Sequence, residues 1–285
     1  MVKDKGACSG RLASDAVVIT VAPTGSEPTR ADNANIPYLV DEIVAEALRA
    51  GSAGAGIVHV HVREDDGRPS AELARFKGVI DQVRSASEML CCVSTGGGTD
   101  MSLDDRIAGV FADPDAVGLE TGSLNFGGVP FVTSGADTAR VIEVAARFAK
   151  PIEVEAFDLG HVIEGAELLA RGSLPTQTPF NLVFGVRGGA PSTVSALSAM
   201  VGEVPEGSPW TVTAVGRHQA RMIMGALALG APGIRVGFED NVYLRRGVLA
   251  TSNAQLVEQV VGLCELVGRR PADPEECRSY LGMPR

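Results

Sequence analysis

Apolar residues follow two alternating rhythms along this chain. A short β-branched run is followed each time by a stretch in which apolar positions return every three or four residues, the marks of a buried strand and an amphipathic helix. The first run, Val17 to Val21, stops at Ala22-Pro23-Thr24-Gly25, and Pro37 to Ala50 then sets Leu39, Ile43, Val44, Ala47 and Leu48 on one helical face. The pair recurs as strand Ile57 to Val62 with helix Ala71 to Ser87, strand Leu90 to Ser94 with helix Leu103 to Ala112, and strand Ala116 to Thr121 with helix Ala136 to Ala149. In the second half, strands Ile152 to Phe157, Phe180 to Phe184, Trp210 to Val215 and Gly233 to Phe238 are followed by helices near Gly160 to Arg171, Thr193 to Val201, Arg217 to Leu229 and Ser252 to Val267. Eight such units in about 250 residues predict an α/β protein with a single (β/α)8 TIM barrel over 16–285, behind a flexible extension over 1–15. A doubly wound sheet usually has fewer strands or a second domain. On a barrel, chemistry is read at the C-terminal ends of the strands.

Those ends carry the polar residues. In Val58-His59-Val60-His61-Val62 the alternation of a strand turns both imidazoles to one face, the lumen, and the valines to the other. Two imidazoles two residues apart on a rigid strand can chelate one metal ion; the alternative is a pair of hydrogen-bonded core histidines, each needing its own buried partner. The eighth strand, Ile234-Arg235-Val236-Gly237-Phe238-Glu239-Asp240, turns Arg235, Gly237 and Glu239 inward, and only the first strand separates it from the second. Glu239 therefore completes a His59, His61, Glu239 set, three ligands with an open position as in catalytic Zn2+ sites. The fifth strand puts Glu153 and Glu155 on one face; Arg235 is the lumen partner for Glu155, and the pair can hold Arg235 against Asp240 and tune Asp240 as a base. An ion network that merely fills the barrel centre is the other reading of the two glutamates. Ser94-Thr95-Gly96-Gly97-Gly98 offers hydroxyls and open N–H groups for a carboxylate or phosphate, although such turns also arise for conformational reasons alone. Thr24 to Glu27 and Glu120 to Ser123 lie on the same rim.

Composition narrows the partners. The chain has 285 residues, 45% hydrophobic and 21% charged, with 35 acids against 25 bases for a net charge of -10. That is a globular composition with no broad cationic face for nucleic acid. The start of the chain has no signal-like apolar run and no segment approaches the length of a membrane span, so a soluble cytoplasmic protein without a membrane partner is expected. Five cysteines without a C-x-x-C pair read as reduced thiols.

Taken together, Thr24 to Glu27, His59 to Arg63 with Asp66 to Ser70, Ser94 to Gly97, Gly122 to Phe126 and Arg235 to Asn241 resemble the β-keto acid cleavage enzymes, from about residue 17 to residue 260. The resemblance implies Zn2+ held by His59, His61 and Glu239, and a reaction of a β-keto acid with acetyl-CoA giving acetoacetate and a new acyl-CoA. In it Asp240, oriented by Arg235 and Glu155, removes a proton from C2 of the keto acid; the enolate attacks the acetyl thioester, CoA passes to the former keto carbon, and a retro-Claisen step releases acetoacetate. Ser94, Gly97 and Thr121 match the family's carboxylate site, and Glu27 its receiver of a cationic substrate end. A homo-oligomer is implied as well. Phe238 stands where the family more often has Leu, and Glu64-Asp65 where Asp-Pro is common, which reshapes the rim without removing a ligand.

Two other readings compete. A metal-dependent hydrolase of the amidohydrolase type also uses H-x-H on a barrel strand, but on the first strand, with further histidines after the fifth and sixth; here the pair is on the second and only His161 follows the fifth. A non-catalytic metal- or acyl-CoA-binding barrel is the other, against which stand the intact Arg235, Glu239 and Asp240.

Overall fold

In the computed structural model, which describes residues 12–126 and 128–283, eight parallel strands close on themselves. They are β1 (Ala16–Val21), β2 (Ile57–Val60), β3 (Leu90–Val93), β4 (Ala116–Glu120), β5 (Ile152–Ala156), β6 (Phe180–Phe184), β7 (Trp210–Ala214) and β8 (Gly233–Val236). Each pairs with its neighbours in chain order, and β8 pairs with β1 from Val18 opposite Gly233 to Val21 opposite Val236. This is a TIM barrel. The helices between strands are α1 (Val40–Ser52), α2 (Leu73–Ala86), α3 (Leu103–Arg106), α4 (Gly135–Arg147), α5 (Leu159–Ala170), α6 (Val194–Glu203) and α7 (Gln219–Ala228), with α8 (Asn253–Leu266) after β8.

The alternation seen in the sequence sorts the side chains. Val17, Ile19 and Val21 of β1, Val58 and Val60 of β2 and Ile234 and Val236 of β8 join one cluster with the buried faces of the helices, such as Ile43, Val44 and Ala47 of α1. Val18, Ile57, Leu90, Cys92 and Ala116 point the other way, into the floor of the lumen. That floor is closed from below by a piece the strand and helix rhythm does not foretell. Arg270–Pro271 pairs beside the start of β1, and α9 (Pro274–Tyr280) sends Cys277, Tyr280 and the following Leu281 up against the floor. Tyr280 Oη lies 2.6 Å from Thr211 Oγ1. Above the floor the lumen turns polar, with Thr20, His59, Glu153, Glu155, Asn181, Thr213 and Arg235 all buried.

Two short hairpins, Leu124–Phe126 with Val129–Phe131 and Tyr243–Arg245 with Val248–Leu249, stand on the C-terminal rim and were not expected. Helix α3 is one turn continued by a 3-10 segment, Ala108–Ala112. Of the extension expected over 1–15, residues 1–11 lie outside the described residues; Leu12 packs against the floor cluster and Asp15 pairs with Arg270 at 3.2 Å. Cys91, Cys92, Cys264 and Cys277 are buried thiols, and Cys8 is outside the described residues. No helix among the described residues is long and apolar enough to cross a membrane.

Candidate active site

The polar positions lie in the last paired residues of the strands, as with His59, Glu155 and Arg235, or just beyond them, as with His61, Ser94, Glu239 and Asp240, so the chemistry sits where the backbone leaves the barrel. His59 is the third residue of β2 and His61 the first beyond it; their ring centroids are 5.1 Å apart. Glu239 follows the bend at Gly237, whose φ of +149° only glycine adopts freely, and a Cβ there would lie 2.1 Å from the Ala22 carbonyl. Asn253, at the start of α8, accepts from Phe238 N at 2.8 Å and is itself held by Glu46 of α1, which fixes the turn that presents Glu239. One ligand atom each from His59, His61 and Glu239 lies within 4.8 Å of the others. His61 Nε2 is 3.4 Å and His59 Nε2 3.9 Å from the Glu239 carboxylate.

These groups fit a metal ion better than a hydrogen-bonded cluster. Both nitrogens of His59, His61 Nε2 and Glu239 Oε2 are buried with no hydrogen-bond partner among the described residues, a costly state for polar atoms unless something else binds them. Burial and then the charge of Arg235 hold the His59 imidazole well below its ordinary pKa, in the neutral form a metal requires. Burial would raise Glu239, yet Arg235 and the two imidazoles outweigh it and keep the carboxylate below its usual range.

Arg235 is the hub. Its Nε and NH2 donate to the two oxygens of Asp240 at 3.1 and 3.0 Å, its NH1 donates to Glu155 at 3.0 Å, and its NH2 lies 2.6 Å from Glu239. The fork of the guanidinium meets the Asp240 carboxylate in two parallel bonds, which fixes the orientation of that carboxylate. Burial pushes Asp240 up to about 6 against the pull of Arg235. Glu155, buried among Glu120, Glu239 and Glu153, is also pushed up despite Arg235. Burial works against the charge on Arg235, and the three carboxylates around it more than restore it.

Above this centre opens a cavity of about 320 Å3 whose walls include Glu27, His61, Ser94, Gly97, Arg235 and Asp240. Of the residues expected from sequence, Thr121 is placed differently: its hydroxyl donates to the His161 carbonyl at 2.8 Å, and it is not among the cavity-lining residues. Its neighbour Glu120 is, together with Phe126, Phe131 and Phe157, which form an apolar wall. Ser94 Oγ accepts from Gly96 N at 3.0 Å, leaving its O–H to donate.

Two arginines that the sequence reading left unassigned brace this rim. Arg106 donates to Thr95 O and Val132 O and pairs with Glu120, which ties the Gly-rich turn to the first hairpin. Arg63 donates to Thr24 Oγ1, Gly67 O and Pro28 O, which holds the loop carrying Glu27. Arginines at a helix end and after a strand read as solvent-facing in sequence, so only three-dimensional packing reveals them.

The profile of the β-keto acid cleavage enzymes matches residues 16–283 of this chain. It is 40% identical over 273 residues to the 3-keto-5-aminohexanoate cleavage enzyme of Acetoanaerobium sticklandii, covering 94% of this chain and 98% of that one. It is 36% identical over 273 residues to the 3-oxoadipate:acetyl-CoA acetyltransferase of Cupriavidus necator, covering 94% and 95%. Among solved structures, a ternary complex of ObcA with a C4-CoA adduct and oxalate superposes with a TM-score of 0.74 at 21% identity, covering 87% of this chain and 68% of that one, a likeness of fold. With its matched span running from the first barrel strand to the helix that closes the floor, the chain belongs to the β-keto acid cleavage enzyme family.

Proposed function

We propose that this chain is a zinc-dependent acyltransferase that converts a β-keto acid and acetyl-CoA into acetoacetate and the acyl-CoA of the former keto carbon. The observation that carries the reading is the convergence of unpartnered ligand atoms of His59, His61 and Glu239 beside a carboxylate, Asp240, clamped by Arg235. When bound there, Zn2+ supplies the Lewis acidity that stabilises negative charge on the keto oxygen.

The chain's own residues do the rest. Ser94 and the N–H of Gly97 receive the substrate carboxylate, and Glu27 stands at the mouth where the far end of the keto acid emerges. Asp240, with both oxygens accepting from Arg235, takes the proton from C2 of the keto acid. Glu155 holds the opposite edge of Arg235, and Asn181 Nδ2, 3.5 Å from Glu155, steadies it in turn. The carbanion attacks the acetyl thioester; the thiolate of CoA then adds to the former keto carbon, and the C–C bond breaks with release of acetoacetate.

The hydrolase reading fits less well. It needs further imidazoles at the metal, and the ring of His161 is engaged elsewhere, with Nδ1 accepting from Phe157 N and Nε2 facing Ser123 O, each at 3.3 Å. The deciding experiment incubates the purified protein with acetyl-CoA and β-keto acids bearing cationic, acidic and apolar tails, before and after chelation. Acetoacetate that appears with one class, and disappears on chelation until Zn2+ is restored, is the expected result. No acetoacetate with any of them refutes the proposal.

A further inference from the structure

The rim beyond Asp240 holds a feature that the keto acid chemistry does not use. Asp240 lines a second cavity next to the first, and Gly216, Asn241 and Tyr243 are shared between that one and a third, larger cavity of about 720 Å3. Because each shares lining residues with the next, we read the three as one groove that runs outward along the rim from His61 and Glu239. Its far end is lined by Arg217, His218, Arg245 and Arg246.

The charge at this end runs against the rest of the chain. Between Gly207 and Val257 there are two acids, Glu239 and Asp240, both inside the site, against five arginines, whereas the whole chain has a net charge of -10. Among the described residues the Arg217 side chain hydrogen-bonds the His218 ring alone, at 3.1 Å, and no ion pair engages Arg217, Arg245 or Arg246. The groove is firmly built: Asn241 Nδ2 donates to Gln219 Oε1 at 3.1 Å, Gly216 N donates to Asp240 O at 2.8 Å, and Gln259 Nε2 holds Leu244 O at 3.2 Å. The exposed ring of Tyr243 stands at the junction. Arginines without carboxylates suit phosphate, which a guanidinium binds with two parallel bonds, and an exposed aromatic face suits a nucleobase.

We propose that Arg217, Arg245 and Arg246 bind the phosphates of the 3′-phosphorylated ADP of acetyl-CoA, with the pantetheine arm lying along the groove past Asn241 toward Asp240. The inference rests on the proposed reaction, which requires an acyl-CoA at the metal. Six residues of chain from Glu239 to Arg245 span at most roughly 20 Å, a reach an extended pantetheine arm covers. The same cations would draw an anionic co-substrate to this end of the rim, an attraction that salt weakens.

The test pairs a change in the protein with a change in the ligand. Arg217→Ser and the double variant Arg245→Ser, Arg246→Ser are compared with the parent using acetyl-CoA and S-acetylpantetheine, and Arg140→Ser, a surface change on α4, serves as control. Calorimetric titration with CoA adds a readout that needs no turnover. The expected result is a rise of about tenfold in KM for acetyl-CoA and in Kd for CoA, with no difference between variants and parent on S-acetylpantetheine and no change in KM for the keto acid. If the parent makes acetoacetate but the variants bind CoA as it does, or lose equally on both thioesters, the phosphate site is refuted and the reaction stands. If the parent makes no acetoacetate and binds no CoA, the reaction itself is refuted and the site falls with it.

Discussion

Replacing Glu153 by Gln should make the protein more stable at pH 8 and change little near pH 4.5. Glu153 faces the lumen from β5, beneath Arg235, and burial pushes its carboxyl up to about 7 against the pull of that guanidinium. In the unfolded chain the same group ionises near its ordinary 4.5, so between these values the folded state carries a proton that the unfolded state has lost. More protons bound in the native state mean that stability falls as pH rises, from about 4.5 to about 7, and stays at the lower level above that. At about 1.4 kcal/mol per pH step, the interval from 4.5 to about 7 amounts to about 3 kcal/mol lost by the parent, and glutamine, which has the shape of the protonated acid, avoids it. Three neighbours sense the charge of Glu153: Cys92 and Tyr280 are pushed well above their ordinary values by burial and do not titrate in this window, and Glu155 is itself pushed up by burial in the parent and the variant alike. Denaturant unfolding of both proteins from pH 4.5 to 8, with zinc held saturating, measures the difference directly; in thermal melts at pH 8 it corresponds to roughly 5–10 °C. A gap between variant and parent that is the same at pH 5 and pH 8 would show that Glu153 is ionised throughout, and the account of a neutral carboxyl in the lumen would be wrong.

Removal of one ligand, by His59→Ala or Glu239→Gln, should lower bound zinc and acetoacetate formation together, because three ligands leave no redundancy; metal analysis beside the assay checks it, and full activity without metal refutes it. Asp240→Asn should keep zinc and lose about 10² to 10⁴ in rate, the usual worth of a positioned base, so parental turnover with zinc retained excludes Asp240 from proton transfer. Gly25→Ala sets a Cβ 2.2 Å from Glu239 Cγ and should cost roughly 10–100-fold in metal affinity by displacing that side chain, read by competition with a chelator on protein whose circular dichroism is unchanged.

How much of the fold the sequence shows depends on which forces write a periodic signal. The eight strands and most helices are legible because each buries one face, and burial is recorded as a period of two or of about 3.6. Strand ends are less so. The alternation in Ile57 to Val62 and Gly233 to Phe238 continues beyond the last paired residues, Val60 and Val236, because His61 and Glu239 still aim inward after the ladder has ended. Gly237 looks like one more strand residue, and only its positive φ reveals the bend that turns Glu239 toward the histidines. The hairpins and α9 are too short for a period to register, although α9 decides how the barrel floor is sealed.

The site divides in the same way, by whether a contact follows from strand order or from a loop. Glu155 of β5 meets Arg235 of β8 across the lumen because both point inward from strands whose places in a closed barrel are fixed by chain order, and Asp240 lies five residues further along. Arg106 and Asn253 obey no such rule. One ends a single-turn helix and the other opens α8, where an Arg and an Asn are ordinary surface residues, yet Arg106 holds Glu120 and the Gly-rich turn while Asn253 holds Phe238 N. Thr121 is expected from the motif and not from the alternation. It follows Glu120 at the end of β4, and successive side chains of an extended chain point opposite ways, so Glu120 lines the cavity while the threonine hydroxyl turns to the His161 carbonyl. Motif position alone therefore locates the rim to within a residue, and the pleat of the strand decides which of two neighbours lines the cavity.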